Sequence, residues 1–137
     1  MTPLHLPCPL LADLLAHARA EAPNECCGLL AGTANLVTLR LPLVNALASP
    51  TRFESSPVSM FAAMREMKRL DLDILAVYHS HPTTHAAPSA TDREFNYADG
   101  VATVIVSLAS EPPIVRAWRL EAGRFVEVEL KMSEPLS

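Results

Sequence analysis

The chain has 137 residues, half of them hydrophobic and 19% charged, which supplies enough apolar material for a packed core and excludes wholesale disorder. Eleven Lys and Arg against fifteen Asp and Glu leave a net charge of −4, and no basic run offsets it, so nucleic acid is not an expected partner. Val101 to Ser110, the longest weakly interrupted apolar stretch, is about half of the ~20 residues a membrane-spanning helix needs, so no membrane partner is expected and a soluble chain is.

In chain order, Leu11, Leu14, Leu15 and Ala18 recur at three- and four-residue spacing and predict an amphipathic helix over roughly Leu10 to Ala22, broken by Pro23 and Asn24. Asp13 interrupts this stretch and no Lys or Arg precedes Arg19, so it reads as a helix and not an export signal. Cys26 to Gly32 and Leu36 to Leu47 read as strands separated by a turn near Thr33 to Asn35. Three cysteines, Cys8, Cys26 and Cys27, are an odd count with two sequence neighbours, which suits a reducing cytoplasm and not a disulfide framework.

Asn45 to Thr51 reads as loop, with a short extended piece at Arg52 to Ser55. Ser56-Pro57 opens a helix to about Leu70, Ser as N-cap and Pro in the first position, and Met60, Phe61, Met64 and Met67 form an apolar stripe expected to pack in the core. Ile74 to His79 predicts a buried strand, Thr83 to Pro88 a loop, Ser89 to Tyr97 a short helix, and Val101 to Leu108 another strand. Ile114 to Leu120 and Arg124 to Lys131 flank Glu121-Ala122-Gly123 and predict a terminal hairpin. Trp118 is expected in the sheet, its indole N–H requiring a partner if buried. The fold class is therefore α/β, a mixed sheet flanked by helices, expected as one domain over 1–137.

Chemistry concentrates in Tyr78-His79-Ser80-His81-Pro82 and Pro88-Ser89-Ala90-Thr91-Asp92. Residues two apart on a strand share a face, so His79 and His81 can address one metal ion. Asp92 follows after ten intervening residues, at the start of the predicted helix, within reach of a folded-back loop. Two imidazoles and a carboxylate are a normal protein set for catalytic zinc, with one position left for water. Each part alone has an ordinary explanation: a His-x-His pair can be structural, and Ser89-x-x-Asp92 reads as a capping box. The joint spacing carries the functional reading.

Together these residues resemble the JAMM (MPN-plus, JAB1-type) metalloprotease motif, His-x-His-x(10)-Asp with a Ser three residues before the Asp. Glu25-Cys26-Cys27-Gly28-Leu29-Leu30 resembles the upstream strand on which that family carries a Glu. The resemblance implies a JAMM/MPN fold, similar to that of the cytidine deaminases, with His79, His81 and Asp92 as ligands of one Zn²⁺ per chain. It further implies Glu25 as general base and Ser89 as hydrogen-bond donor to the oxyanion. Cys27, on the same face as Glu25, is the alternative nucleophile, and would need its own His base and orienter. His85 is expected to face solvent, and His5 and His17 have no partner in the sequence. No His-Glu-x-x-His occurs, and no Pro-Cys-x-x-Cys follows a His-x-Glu, so helical zinc proteases and nucleobase deaminases are unsupported.

Family members cleave peptide or isopeptide bonds after the Gly-Gly tail of ubiquitin or ubiquitin-like proteins. The short connections resemble the compact stand-alone prokaryotic members, and Arg52-Phe53 after Asn45 is similar to those that release cysteine from a sulfur-carrier protein. The expected activity is thus zinc-dependent hydrolysis at a ubiquitin-like sulfur-carrier tail. A general ubiquitin-like isopeptidase and a non-catalytic MPN binding scaffold are the alternatives, and a homodimer stays open.

Overall fold

The computed structural model describes residues 2–90, 92 and 100–133. In order the elements are β1 (Leu4–Pro7), α1 (Cys8–Glu21), β2 (Cys27–Thr33), β3 (Leu36–Leu43), α2 (Pro57–Leu70), β4 (Asp73–His81), β5 (Ala102–Ser107), β6 (Ile114–Glu121), β7 (Arg124–Val128) and β8 (Leu130–Ser133). The expected helix over Ser89 to Tyr97 lies mostly outside the described residues.

The strands form one eight-stranded mixed sheet in the order β7-β6-β5-β4-β2-β3-β1-β8. β2 is antiparallel to both β3 and β4, β4 runs parallel to β5, and β1 runs parallel to β3 and β8. The two edge strands, β7 and β8, are separated in the chain by Glu129 alone, so the sheet must curl until its edges approach each other. The Glu129 carbonyl accepts from the Leu4 amide at 3.0 Å where they meet.

The chain ends hold one strand not assigned from the sequence and one correction. Leu4–Pro7 is a strand, with Leu4 and Leu6 inward, although only three residues between Pro3 and Pro7 carry the alternation. Arg124 to Lys131 is two strands: the first pairs with β6 as the expected hairpin, and the second pairs with β1 at the other edge. α1 begins earlier than its leucine spacing suggests, because Pro9 is in its first turn, where a missing N–H costs nothing.

Each sheet face carries its own core. Leu14 and Ala18 of α1 pack with Leu4, Leu6, Leu30, Val37, Ala76, Tyr78, Val104 and Val106 on one side. Ala63 and Met67 of α2 pack with Cys27, Leu29, Ala31, Leu43 and Phe53 on the other. Each fully buried Leu contributes about 1.5–3 kcal/mol. α2 starts as expected, with Ser56 Oγ accepting the Ser59 amide at 3.1 Å, and stops at Asp71 in the left-handed region (φ 55°). The methionine stripe is only half a core feature: Met67 is buried, whereas Phe61 and Met64 are 66% and 46% exposed. At 100° per residue the apolar positions cover a wider arc than the sheet can reach, and Ala63 takes the inward place between Met60 and Met67.

Candidate metal centre

β4 lies at the middle of the sheet and alternates sides. Ala76 and Tyr78 face α1, while Val77 and His79 face the α2 side, so His81 continues the second series. Cys27 is paired with His79 in the antiparallel β2–β4 ladder, and the Ser80 amide donates to the Cys26 carbonyl at 3.1 Å beyond it. Continuing this register sets Glu25 across from His81, on the same face. The site therefore forms at the carboxyl end of β4, where it runs parallel to β5, the usual place for a ligand in sheets with parallel strands.

The segment after His81 returns Asp92 to the imidazoles. Three successive carbonyls hold it, each bonded to a side chain of a different strand. The Thr84 carbonyl accepts from Ser107 Oγ at 2.5 Å, that of His85 from His81 Nδ1 at 2.9 Å, and that of Ala86 from Trp118 Nε1 at 3.0 Å. The Trp118 indole thus has the partner its burial requires. The His85 ring is exposed and enters the site only through its carbonyl.

His79 Nε2 lies 3.2 Å from His81 Nε2 and 3.1 Å from Asp92 Oδ1, and His81 Nε2 lies 3.1 Å from Asp92 Oδ2. Tetrahedral ligands at Zn–N distances of about 2.0–2.1 Å stand roughly 3.3 Å apart, so the three donors have the spacing a small divalent ion requires. Among the described residues they are the one group of His, Cys, Asp and Glu side chains so arranged. Because a carbonyl only accepts, His81 Nδ1 carries a proton there, which directs the Nε2 lone pair of the neutral ring inward.

Burial works against the Asp92 carboxylate, but hydrogen bonds from His79, His81 and the Ser89 amide outweigh it and hold the carboxyl well below its ordinary range. Burial lowers His79, whereas for His81 the bonds to Asp92 and the His85 carbonyl exceed the burial effect and raise it. The buried Glu25 has its pKa pushed up to about 7, mainly by burial, with His81 opposing and Asp92 reinforcing. Its Oε1 has no hydrogen-bond partner among the described residues, and neither does His79 Nδ1. A desolvated carboxyl with Oε1 unbonded among the described residues, beside three convergent donors, fits a site built around a cation, and a carboxyl near neutrality can both take and return a proton.

The capping box is also formed. Asp92 N–H donates to Ser89 Oγ at 3.1 Å, and Ser89 N–H donates to Asp92 Oδ2 at 2.8 Å. The cap engages Asp92 Oδ2 and leaves Oδ1 directed at His79, so the capping box is compatible with a ligand role for the carboxylate. The cysteines separate as strand alternation requires, Cys26 into the α1-side core and Cys27 into the other. Burial foremost pushes their thiols up to about 11 and about 12, so neither is a thiolate at neutral pH.

Three supporting features had little sequence signal. Phe53 is buried and stacked on the His79 ring, with centroids 4.7 Å apart and planes at 24°. Asn45 donates its side-chain amide to the Glu25 carbonyl at 3.0 Å. Tyr78, next to the first histidine, bonds through its hydroxyl to His17 and Arg40. An Asn opening a loop before a helix cap is a turn signal, and nothing local says which backbone it will hold.

Residues 7–121 match the family model described as prokaryotic homologs of the JAB domain, Prok-JAB. The CysO-cysteine peptidase of Mycobacterium tuberculosis is 30% identical over 128 residues, covering 91% of this chain and 88% of that protein. The probable TtuB-protein conjugate cleaving protease of Thermus thermophilus is 39% identical over 90 residues, 65% of this chain, and the match spans 60% of its length. A solution structure of a Desulfitobacterium hafniense protein superimposes with a TM-score of 0.88 at 32% identity, covering 98% of this chain and 95% of that one. With the match extending from the start of α1 to the end of β6, the chain belongs to the Prok-JAB family, the prokaryotic homologs of the JAB domain.

Proposed function

We propose that this protein is a zinc-dependent metallopeptidase that hydrolyses the bond following the Gly-Gly tail of a ubiquitin-like sulfur-carrier protein and releases cysteine. The observation that carries the reading is the convergence of His79, His81 and Asp92 within 3.2 Å beside the buried Glu25 carboxyl, whose Oε1 has no hydrogen-bond partner among the described residues. A zinc ion held by His79, His81 and Asp92 supplies Lewis acidity and lowers the pKa of water to about 7. Glu25 takes the proton of the attacking water and returns it to the leaving amine. The Ser89 Oγ spends an acceptor position on the Asp92 amide and keeps its own O–H to donate to the oxyanion. A binding scaffold has no use for such a donor set with a buried carboxyl poised beside it.

The name of the mycobacterial relative supports the cysteine leaving group, and its match covers most of both chains. That of the Thermus relative supports a second reading, an isopeptidase that removes a ubiquitin-like modifier from protein conjugates, with the same site. Turnover of a Gly-Gly-tailed carrier extended by cysteine, compared with the same carrier joined to a lysine side chain, separates the two. With either substrate, Glu25→Gln should keep its zinc and lose about 10² to 10⁴ in rate, the usual contribution of a general base. Undiminished turnover refutes the role of Glu25, and a zinc-free active protein refutes the metallopeptidase reading.

A further inference from the structure

The loop between β3 and α2 touches the site twice, and one side chain organises it. Asn45 uses its full hydrogen-bonding capacity: Nδ2 donates to the carbonyls of Glu25 and Arg52, each at 3.0 Å, and Oδ1 accepts from the amides of Leu47 and Glu54, each at 3.1 Å. The Asn45–Ser55 bridge closes the base of the loop. From its interior the Ser49 carbonyl accepts the Glu25 amide at 2.8 Å. Glu25 precedes β2, so these two contacts hold its peptide groups where the strand ladder does not. The same loop lays Phe53 flat on His79, a ring whose Nδ1 has no hydrogen-bond partner among the described residues to orient it.

We propose that Asn45 is a positioning residue for hydrolysis: by fastening the Glu25 carbonyl to the loop that seats Phe53 on His79, it sets the base against the metal-binding ring. The proposal rests on the reading of Glu25 as the base. Asn45 touches neither substrate nor metal and acts only through the backbone it holds. Its amide is half-buried, and losing it leaves the Glu25 and Arg52 carbonyls without this donor.

The test uses Asn45→Ala and Asn45→Asp in the full chain. Turnover of the cysteine adduct of a Gly-Gly-tailed carrier is measured on zinc-loaded protein, and amide hydrogen exchange at Glu25 on metal-stripped protein. Both variants should lose about 10- to 100-fold in kcat, the loss typical of partners one layer behind the reacting groups, with KM unchanged and faster exchange at Glu25. Asn45→Asp retains both acceptor bonds that fold the loop, so parental kcat or parental exchange in this variant overturns the proposal. In a Glu25→Gln background, Asn45→Ala should add no further loss, whereas an additive loss shows that it acts elsewhere and overturns the proposal too. Full activity of Glu25→Gln alone removes the base reading and the proposal with it. Loss in Glu25→Gln beside a parental Asn45→Asp removes the proposal only.

Discussion

Gly28 and Tyr78 are paired across the β2–β4 ladder, and a Cβ at position 28 would lie 2.2 Å from Cε1 of the tyrosine ring. The ring cannot retreat, because it is fully buried and its hydroxyl accepts from Arg40 Nη1 at 3.1 Å and is hydrogen-bonded to His17 Nδ1 at 2.7 Å. Glycine at 28 is therefore required by the side chain next to His79. Gly28→Ala should cost about 1–3 kcal/mol by overpacking, measured by urea unfolding. In a Tyr78→Ala background the same substitution should cost almost nothing more, because the clashing atoms are gone. Equal costs in the two backgrounds would refute the pairing as the cause.

The same tyrosine predicts an acid-sensitive stability. Burial foremost, then Arg40, lower the pKa of His17, while Glu21, 3.9 Å from Nε2, opposes them. The neutral ring fits, since its Nδ1 can then accept the Tyr78 proton while the hydroxyl oxygen accepts from Arg40. A base whose folded pKa lies below its unfolded value of about 6.5 binds more protons when unfolded, so its contribution is present above that pH and lost as pH falls through the folded value. His17→Leu should show a flatter stability profile below about pH 6.5 than the parent. An unchanged slope in chemical denaturation across that window would refute the assignment.

Trp118 reaches the site segment through its hydrogen bond to the Ala86 carbonyl. Trp118→Phe keeps most of the ring and removes the donor to the Ala86 carbonyl. Leaving this buried carbonyl without that partner should cost about 1–3 kcal/mol of stability. The adjacent His85 carbonyl, which orients His81, should become less fixed. Zinc affinity, followed by chelator competition, should fall by about tenfold, the low end for a partner behind a ligand. Parental affinity would show that the other two holds suffice.

The thiols beside Glu25 should be inert. With pKa values of about 11 and about 12, Cys26 and Cys27 stay protonated in the folded protein at pH 8. Iodoacetamide at that pH should leave both unmodified until denaturant is added, as read by peptide mass. Cys27→Ala should turn over the cysteine adduct at the parental rate. A large loss of kcat with intact folding would revive the nucleophile reading.

Periodic and local features were legible in the sequence. Alternation on β4 already brought His79 and His81 to one side, the Ser56-Pro57 cap began α2 at the observed residue, and Ser89-x-x-Asp92 specified a box that closes as expected. These depend on backbone geometry within a few residues, where the pattern of side chains is the whole of the physics. The tertiary structure decided what depends on partners far away in the chain. Leu4–Pro7 is a strand because β3 and β8 flank it, and the last strand crosses to the opposite edge because the sheet curls. Phe61 and Met64 remain outside because the sheet covers only part of the helix. Asn45 finds Glu25, and Gly28 must accommodate Tyr78, through hydrogen bonds and contacts between strands distant in sequence. Non-local pairing of that kind is selected by the burial and hydrogen-bond satisfaction of the whole sheet, which no window of the sequence contains.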